Sequence, residues 1–197
     1  VFSFRDITER KNMEKQMIHQ ATHDPLTQLP NKTLLKDRLA QGINQAKRDK
    51  TIVAVLFFDL DQFKTINDTL GHDIGDILLQ EVSTRIQSCI RQSDTLARWG
   101  GDEFIMVLPS LKQEDQAIPV TKSCRQALDK PFFIKGNKLF ATSSIGISFY
   151  PRQGSDIDIL IKNADMAMYH AKSDRSKDYK IYDHSEQKTS GRLHKIT

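Results

Sequence analysis

Leu34, Leu35, Leu39 and Ile43 recur at helical spacing and predict an amphipathic helix over about 33–49. Leu78, Val82, Ile86 and Ile90, with Leu79 and Cys89 beside them, predict a second over about 75–91. A third, over about 113–129, carries Pro119 near its first turns, which blurs its start. A fourth, over about 155–172, turns Leu160, Ala164, Ala167, Met168 and Ala171 inward. Residues 52–58 are apolar on both faces and rich in branched and aromatic side chains, the pattern of a central buried strand. Residues 95–99 and 104–108 predict two short strands joined across Gly100-Gly101-Asp102-Glu103, a hairpin, since glycine accepts the positive φ of tight turns. Lys135-Gly-Asn-Lys138 reads as a turn, and Ile145, Ile147 and Phe149 alternate after it as a half-buried strand should. Residues 180–182 suggest a last strand. Helices alternating with strands, plus a hairpin, define an α/β (α+β) fold: one central mixed sheet flanked by helices.

The ends differ from this body. Residues 1–4 suggest the end of a strand, followed by a polar helical run in which Met13, Met17 and Gln20 form a narrow stripe. So thin a seam does not hold a lone helix together; it reads as a stalk that pairs with another copy, or as a frayed terminal helix. Residues 184–197 form a polar tail. The organisation is therefore 1–20 linker, 21–183 globular domain and 184–197 tail.

Composition excludes several classes. With 38% hydrophobic and 27% charged residues among 197, the chain is neither disordered nor membrane-spanning. Cys89 and Cys124 do not make a disulfide scaffold and suit a reducing cytoplasm. A net charge of +4 is compatible with anionic ligands but too weak and dispersed for a nucleic-acid stripe. No membrane contact by this stretch is expected.

The candidate chemistry lies where secondary structure stops. Asp59 and Asp61 sit at the carboxyl end of the buried strand, where open α/β sheets tend to bind ligands. Asp102 and Glu103 occupy the hairpin turn. If the hairpin lies beside that strand, the acids converge, and oxygen-only ligands select hard cations such as Mg²⁺. Two such ions suit in-line displacement at phosphorus. Solvated turn acids are the bland alternative, which does not account for the double glycine. Residues 63–68 read as a loop whose backbone N–H groups cradle phosphate, with Lys64 adding a point charge. Asn67 and Asp76 are suited to a guanine edge, because a carboxylate accepts from its N1–H and N2–H donors. His72 has a weaker claim, since a lone histidine in a helix-entry loop is more often a cap or packing residue.

Phe58-Asp-Leu-Asp-Gln-Phe-Lys-Thr-Ile-Asn-Asp68, Gly71-His72 with Gly75-Asp76, and Arg98-Trp-Gly-Gly-Asp-Glu-Phe104 resemble the signature blocks of GGDEF-domain diguanylate cyclases. His23-Asp-Pro-Leu-Thr-Gln-Leu-Pro-Asn31 is similar to that family's start, and Ala164-Asp165-Met-Ala-Met-Tyr169 with Ala171-Lys172 to its last helix. The resemblance implies a palm-like, nucleotidyl-cyclase-like fold with the signature on the hairpin. It implies a nucleotidyltransferase that condenses two GTP into cyclic di-GMP, releasing two pyrophosphates by two-metal phosphoryl transfer. Asp59, the Leu60 carbonyl and Asp102 would hold two Mg²⁺ per half-site, with Mn²⁺ as an alternative, and Glu103 would assist at the metals or at the 3′-hydroxyl. Asn67 and Asp76 would bind guanine with His72 nearby, while Phe63 and Lys64 lie at the phosphates. Gly100 and Gly101 would leave room for the nucleotide. Because each domain holds one GTP, the active form would be a homodimer with the stalk setting its geometry. Phe4-Arg-Asp-Ile-Thr-Glu-Arg-Lys11 looks like the exit of a PAS sensor, which would make the chain the output end of a sensory protein.

Arg91-Gln-Ser-Asp94 matches the family's inhibitory product site, since arginine grips phosphate or guanine bidentately; an ordinary salt pair at a helix end is the alternative. The pattern departs from the family at Gln28, usually glycine, and Lys32, usually arginine. After Lys172, which the resemblance puts at the outer phosphates, Arg175-Ser-Lys177 stands where Gly-Arg-Asn is usual. The phosphate-facing arginine is thus absent in register, with Arg175 one residue early. Intact acids favour a diguanylate cyclase over a silent domain that binds GTP or cyclic di-GMP, and the guanine-reading pair with the signature disfavours a cyclic-nucleotide cyclase of related fold.

Overall fold

The computed structural model describes residues 4–174 and 179–184. Its frame is a five-stranded sheet in the order β2-β3-β1-β6-β7. The strands are β1 (Ile52–Leu60), β2 (Thr95–Gly100), β3 (Glu103–Leu111), β6 (Ser143–Tyr150) and β7 (Tyr179–Ile181), and a separate hairpin pairs β4 (Phe132–Ile134) with β5 (Asn137–Leu139). β1 runs antiparallel to both neighbours, β2 and β3 form the expected hairpin, and β7 lies parallel to β6.

Alternation along β1 divides the core. Ala54, Leu56, Phe58 and Leu60 join Phe104, Met106, Ile145 and Ile147 beneath α3 (Phe63–Leu70), α4 (His72–Gln87) and α5 (Ala117–Leu128). Val53, Val55 and Phe57 join Ile105 and Val107 on the opposite face, under α2 (Lys32–Asp49) and α6 (Ile157–Ser173). Both faces are covered, which is why β1 reads as continuously apolar.

β6 differs from the half-buried strand its alternation predicts: Ser143 through Phe149 are all buried. The small residues face α6 instead of water. A Cβ on Gly146 would stand 2.0 Å from the Ala164 carbonyl oxygen and 2.1 Å from the Met168 nitrogen. Ser148 Oγ donates to the Leu160 carbonyl at 2.7 Å, so its hydroxyl is satisfied inside the core.

Other boundaries also move. Residues 63–70 are helical, not the expected loop: the amphipathic pattern of Phe63, Ile66 and Leu70 packs on the core, and Gly71 (φ +88°) separates α3 from α4. The helix expected from residue 75 accordingly begins at His72. α5 begins at Ala117 after a 3₁₀ turn at Glu114–Gln116, with Pro119 in its first turn, where a missing N–H costs nothing. Phe4 is the first described residue of α1 (Phe4–Thr22) instead of a strand end; residues 1–3 and 185–197 lie outside the described residues. Met13, Met17 and Ile18 on α1 are all more than half exposed.

Candidate functional site

The register of the sheet assembles the acids. Asp59 pairs with Glu103 across β1 and β3, and the Leu60 N–H donates to the Asp102 carbonyl at 3.3 Å, so the hairpin turn lies against the end of β1. Gly101 adopts φ +50°, a conformation that favours glycine, and nothing lies within 4 Å of where its Cβ would be. Among the described residues no three His, Cys, Asp or Glu side chains gather as a metal cluster.

The charges here are not settled by the chain itself. Burial pushes the Asp59 carboxyl above the usual range; Lys172 pulls it down, and Asp102 and Asp61 push it up again. Burial also raises Glu103, reinforced by Asp165 of α6, then by Asp59 and Asp102, against a small opposing pull from Lys32. Asp61 is tied down, accepting from Thr142 Oγ1 at 2.7 Å and Ser144 Oγ at 2.8 Å. Lys172, near the end of α6, sits with its Nζ 2.6 Å from Asp59 Oδ1. Burial disfavours its ammonium, but Asp59 and the neighbouring acids outweigh that and raise its pKa. This contact, bridging 113 positions of sequence, and the role of Asp165 left no local signal in the chain.

Beside the acids, Phe63 is buried at the start of α3 and Lys64 is exposed. The Asn67 Oδ1 is buried without a hydrogen-bond partner among the described residues. A Cβ on Gly75 would fall 1.9 Å from that oxygen, so a larger residue there would push the Asn67 amide aside. His72 and Asp76 are exposed on the first turns of α4. Gly100 is extended at φ +158°, and Arg175 lies outside the described residues.

A brace not foreseen from the sequence holds the hairpin. Arg98 donates through Nη1 to Asp24 Oδ1 at 3.1 Å, and through Nε and Nη2 to the Gly101 carbonyl at 3.0 and 2.8 Å. Asp24 also accepts from the Thr27 N–H and hydroxyl. Burial alone would raise Asp24, but the Thr27 bonds and Arg98 prevail and lower it. The acid-Pro-x-Thr turn was the available signal, since Asp caps its own turn. Lys32 lies 4.7 Å over the Trp99 ring, at the foot of the hairpin.

Arg91 and Asp94 lie elsewhere, lining a cavity of about 940 Å³ with Arg38 and Arg48 of α2. They do not form a side-chain salt pair: Asp94 Oδ2 accepts from the Arg91 backbone N–H at 3.0 Å.

Comparison with known proteins gives this arrangement its class. Residues 21–178 match the family described as diguanylate cyclase, GGDEF domain, and the chain belongs to that family. It is 43% identical over 178 residues to the bifunctional diguanylate cyclase/cyclic di-GMP phosphodiesterase MucR of Pseudomonas aeruginosa, covering 90% of this chain and 26% of that protein. The chain thus spans about a quarter of that relative's length. Among solved structures, the GGDEF domain of TpbB from Pseudomonas aeruginosa aligns with a TM-score of 0.78 at 36% identity, covering 82% of this chain and 94% of that one. The GGDEF domain of DgcB from Caulobacter crescentus, in complex with c-di-GMP, aligns at 0.71 and 26% identity, covering 82% and 95%. The central mixed sheet flanked by helices, with the signature on a hairpin, is therefore the fold of GGDEF domains. No helix among the described residues is long and apolar enough to cross a membrane.

Proposed function

We propose that this domain condenses two GTP molecules into cyclic di-GMP, with release of two pyrophosphates. The observation that carries this reading is the pairing of Asp59 with Glu103 at the sheet end, beside Asp102, with both paired carboxyls pushed upward by burial and by neighbouring acids. Such an excess of hard oxygen donors fits a divalent cation. Asp59, Asp102 and the Leu60 carbonyl would hold it, a set with only two carboxylates, as suits a metal whose remaining ligands are phosphate oxygens and water. When bound, Mg²⁺ or Mn²⁺ would neutralise phosphate charge and lower the pKa of the attacking hydroxyl.

The chain's own residues would do the rest. Asn67 and Asp76 would take the guanine edge, with His72 beside them; the Asn67 oxygen has no hydrogen-bond partner among the described residues, which supports that role. Phe63 and Lys64 would lie at the phosphates, Gly100 and Gly101 would leave space for the nucleotide, and Glu103 would accept the 3′-hydroxyl proton or assist at the metals. Lys172, with Arg175 beyond it, would meet the outer phosphates. The 3′-oxygen of each GTP then attacks the α-phosphorus of the other, displacing pyrophosphate, which requires two domains face to face. The exposed Met13, Met17 and Ile18 of α1 suit a pairing stalk. Arg91 and Asp94 would bind product and restrain turnover, a reading supported by the arginine-lined cavity around them.

Incubation with GTP and Mg²⁺, followed by mass spectrometry, tests the reading. Cyclic di-GMP should form, with specific activity rising with protein concentration, and Arg91→Ala should relieve product inhibition without raising KM. GTP binding without any cyclic di-GMP would mean a silent nucleotide-binding domain instead.

A further inference from the structure

We propose that Lys172 is the domain's resident counter-ion, holding Asp59 until the metal arrives with its nucleotide and so setting the order in which the site loads. The inference rests on the reading of Asp59 as a metal ligand. Its own basis is the contact at 2.6 Å between Lys172 Nζ and Asp59 Oδ1, in which the carboxylate side chain is 15% exposed and the lysine 45%.

The acids at this edge are not equivalent. Asp61 is occupied by two hydroxyl donors, and Glu103 has Lys32 only as a minor electrostatic influence. Among the described residues, Asp59 is the acid here held by a cation, and that cation comes from the far end of the chain. An ammonium on a four-carbon stem is a point charge that turns without disturbing its helix. Lys172 lies one residue before the last residue of α6, half in solvent, so its head moves at little cost.

Exchange conserves charge pairing only under one condition. If Asp59 passes to a metal that carries phosphates, Lys172 passes to those phosphates, and every charge keeps a partner. If free metal comes alone, Lys172 is displaced from Asp59 and left beside a second cation with no anion gained. The pair therefore discriminates against bare metal and in favour of the metal–nucleotide complex. It also occupies Asp59 in the empty domain, limiting the cost of an unpaired, mostly buried carboxylate.

The test is Mn²⁺ binding followed by electron paramagnetic resonance on the whole chain, with and without a non-hydrolysable GTP analogue. Without nucleotide, Lys172→Met should bind Mn²⁺ about tenfold more tightly than wild type, the gain expected when a half-exposed pair no longer competes. Lys172→Arg, which retains the cation, should stay near wild type. With the analogue present, the order reverses and Lys172→Met becomes the weaker binder. Circular dichroism verifies that each variant folds, and Lys172→Arg carries the comparison if Lys172→Met does not: an Arg variant that binds bare Mn²⁺ tightly overturns the proposal. Equal or weaker bare-metal binding by a folded Lys172→Met does the same. Asp59→Asn separates the two levels. If it abolishes Mn²⁺ binding while Lys172→Met changes nothing, only the counter-ion role fails. If it leaves Mn²⁺ binding intact, the assignment of Asp59 as a metal ligand fails as well.

Discussion

Two acid-bearing turns meet at the signature hairpin, and they are finished in opposite ways. In the opening turn, Asp24 is answered by the Thr27 N–H, the Thr27 hydroxyl and the Arg98 guanidinium, and its carboxyl is lowered against the pull of burial. At the end of β1, Asp59 and Glu103 are half-buried beside further acids, and their carboxyls are raised. The first turn spends its charge on architecture, fixing the hairpin through Arg98 and the Gly101 carbonyl. The second leaves its charge less matched, with the half-exposed Lys172 as the cation paired to Asp59 among the described residues. Burial of both is similar in kind; the supply of donors differs. Carboxyls raised beside like charges make this edge the candidate site, whereas the lowered Asp24 belongs to a structural contact.

The largest effect that could break this contrast is catalytic. Asp102→Asn should reduce cyclic di-GMP formation at least about a hundredfold, the scale expected when a group that stabilises transition-state charge is lost. Its urea midpoint should barely move. Activity near wild type at saturating Mg²⁺ would remove the hairpin acid from the chemistry.

Arg98→Ala should do the reverse. Its side chain is 14% exposed and that of Asp24 18%, so breaking the pair leaves a carboxylate poorly hydrated and the Gly101 carbonyl short of donors. A loss of about 2–3 kcal/mol in chemical denaturation is expected, less than for a fully buried pair because some water reaches both groups. A cost under about 0.5 kcal/mol, the level of a surface pair, would demote the brace.

The two turns should also respond to pH with opposite sign. Asp24 has a folded pKa below its unfolded 3.8, so its stabilisation is complete above that value and is lost as pH falls through the folded pKa. The penalty of Arg98→Ala should therefore shrink in urea titrations taken below pH 3.8. Asp59 and Glu103 have folded pKa values above 3.8 and 4.5, so their contribution is present below those values and is lost as pH rises through the folded ones.

The smallest expected effect follows from that sign. Glu103→Gln should stabilise the metal-free protein at neutral pH by less than about 1 kcal/mol, since solvent screens a half-exposed charge. The gain should vanish below pH 4.5, where the unfolded glutamate is also protonated. Thermal melts at the two pH values measure it, and destabilisation at neutral pH would show that Glu103 has a native partner after all.

Much of this was readable from the chain alone. Continuous apolarity over residues 52–58 announces the central strand, and Gly100-Gly101 announces the hairpin, because both depend on local pattern and backbone freedom. The candidate acids, Asn67 and Asp76 are likewise recognisable in ordered motifs, since their spacing is short-range. The misread elements failed for identifiable reasons. Residues 63–68 read as a loop because a helix of two turns, Phe63–Leu70, offers little periodicity, and its packing on the core supplies what propensity does not. β6 read as half-buried because serine and glycine look polar in sequence, although α6 lies directly on them.

Residue types, periodicity and turn chemistry decided which acids this protein carries and at which strand ends. Their electrical state was decided only by the tertiary structure, because burial and partner supply depend on elements far apart in the chain. Arg98 reaches Asp24 across 74 positions, and Lys172 reaches Asp59 across 113. Coulomb interaction falls with distance in space and takes no account of distance along the chain. Two aspartates, one in a turn and one at a strand end, thus become a structural brace and the candidate site's acid once the sheet brings their neighbours together.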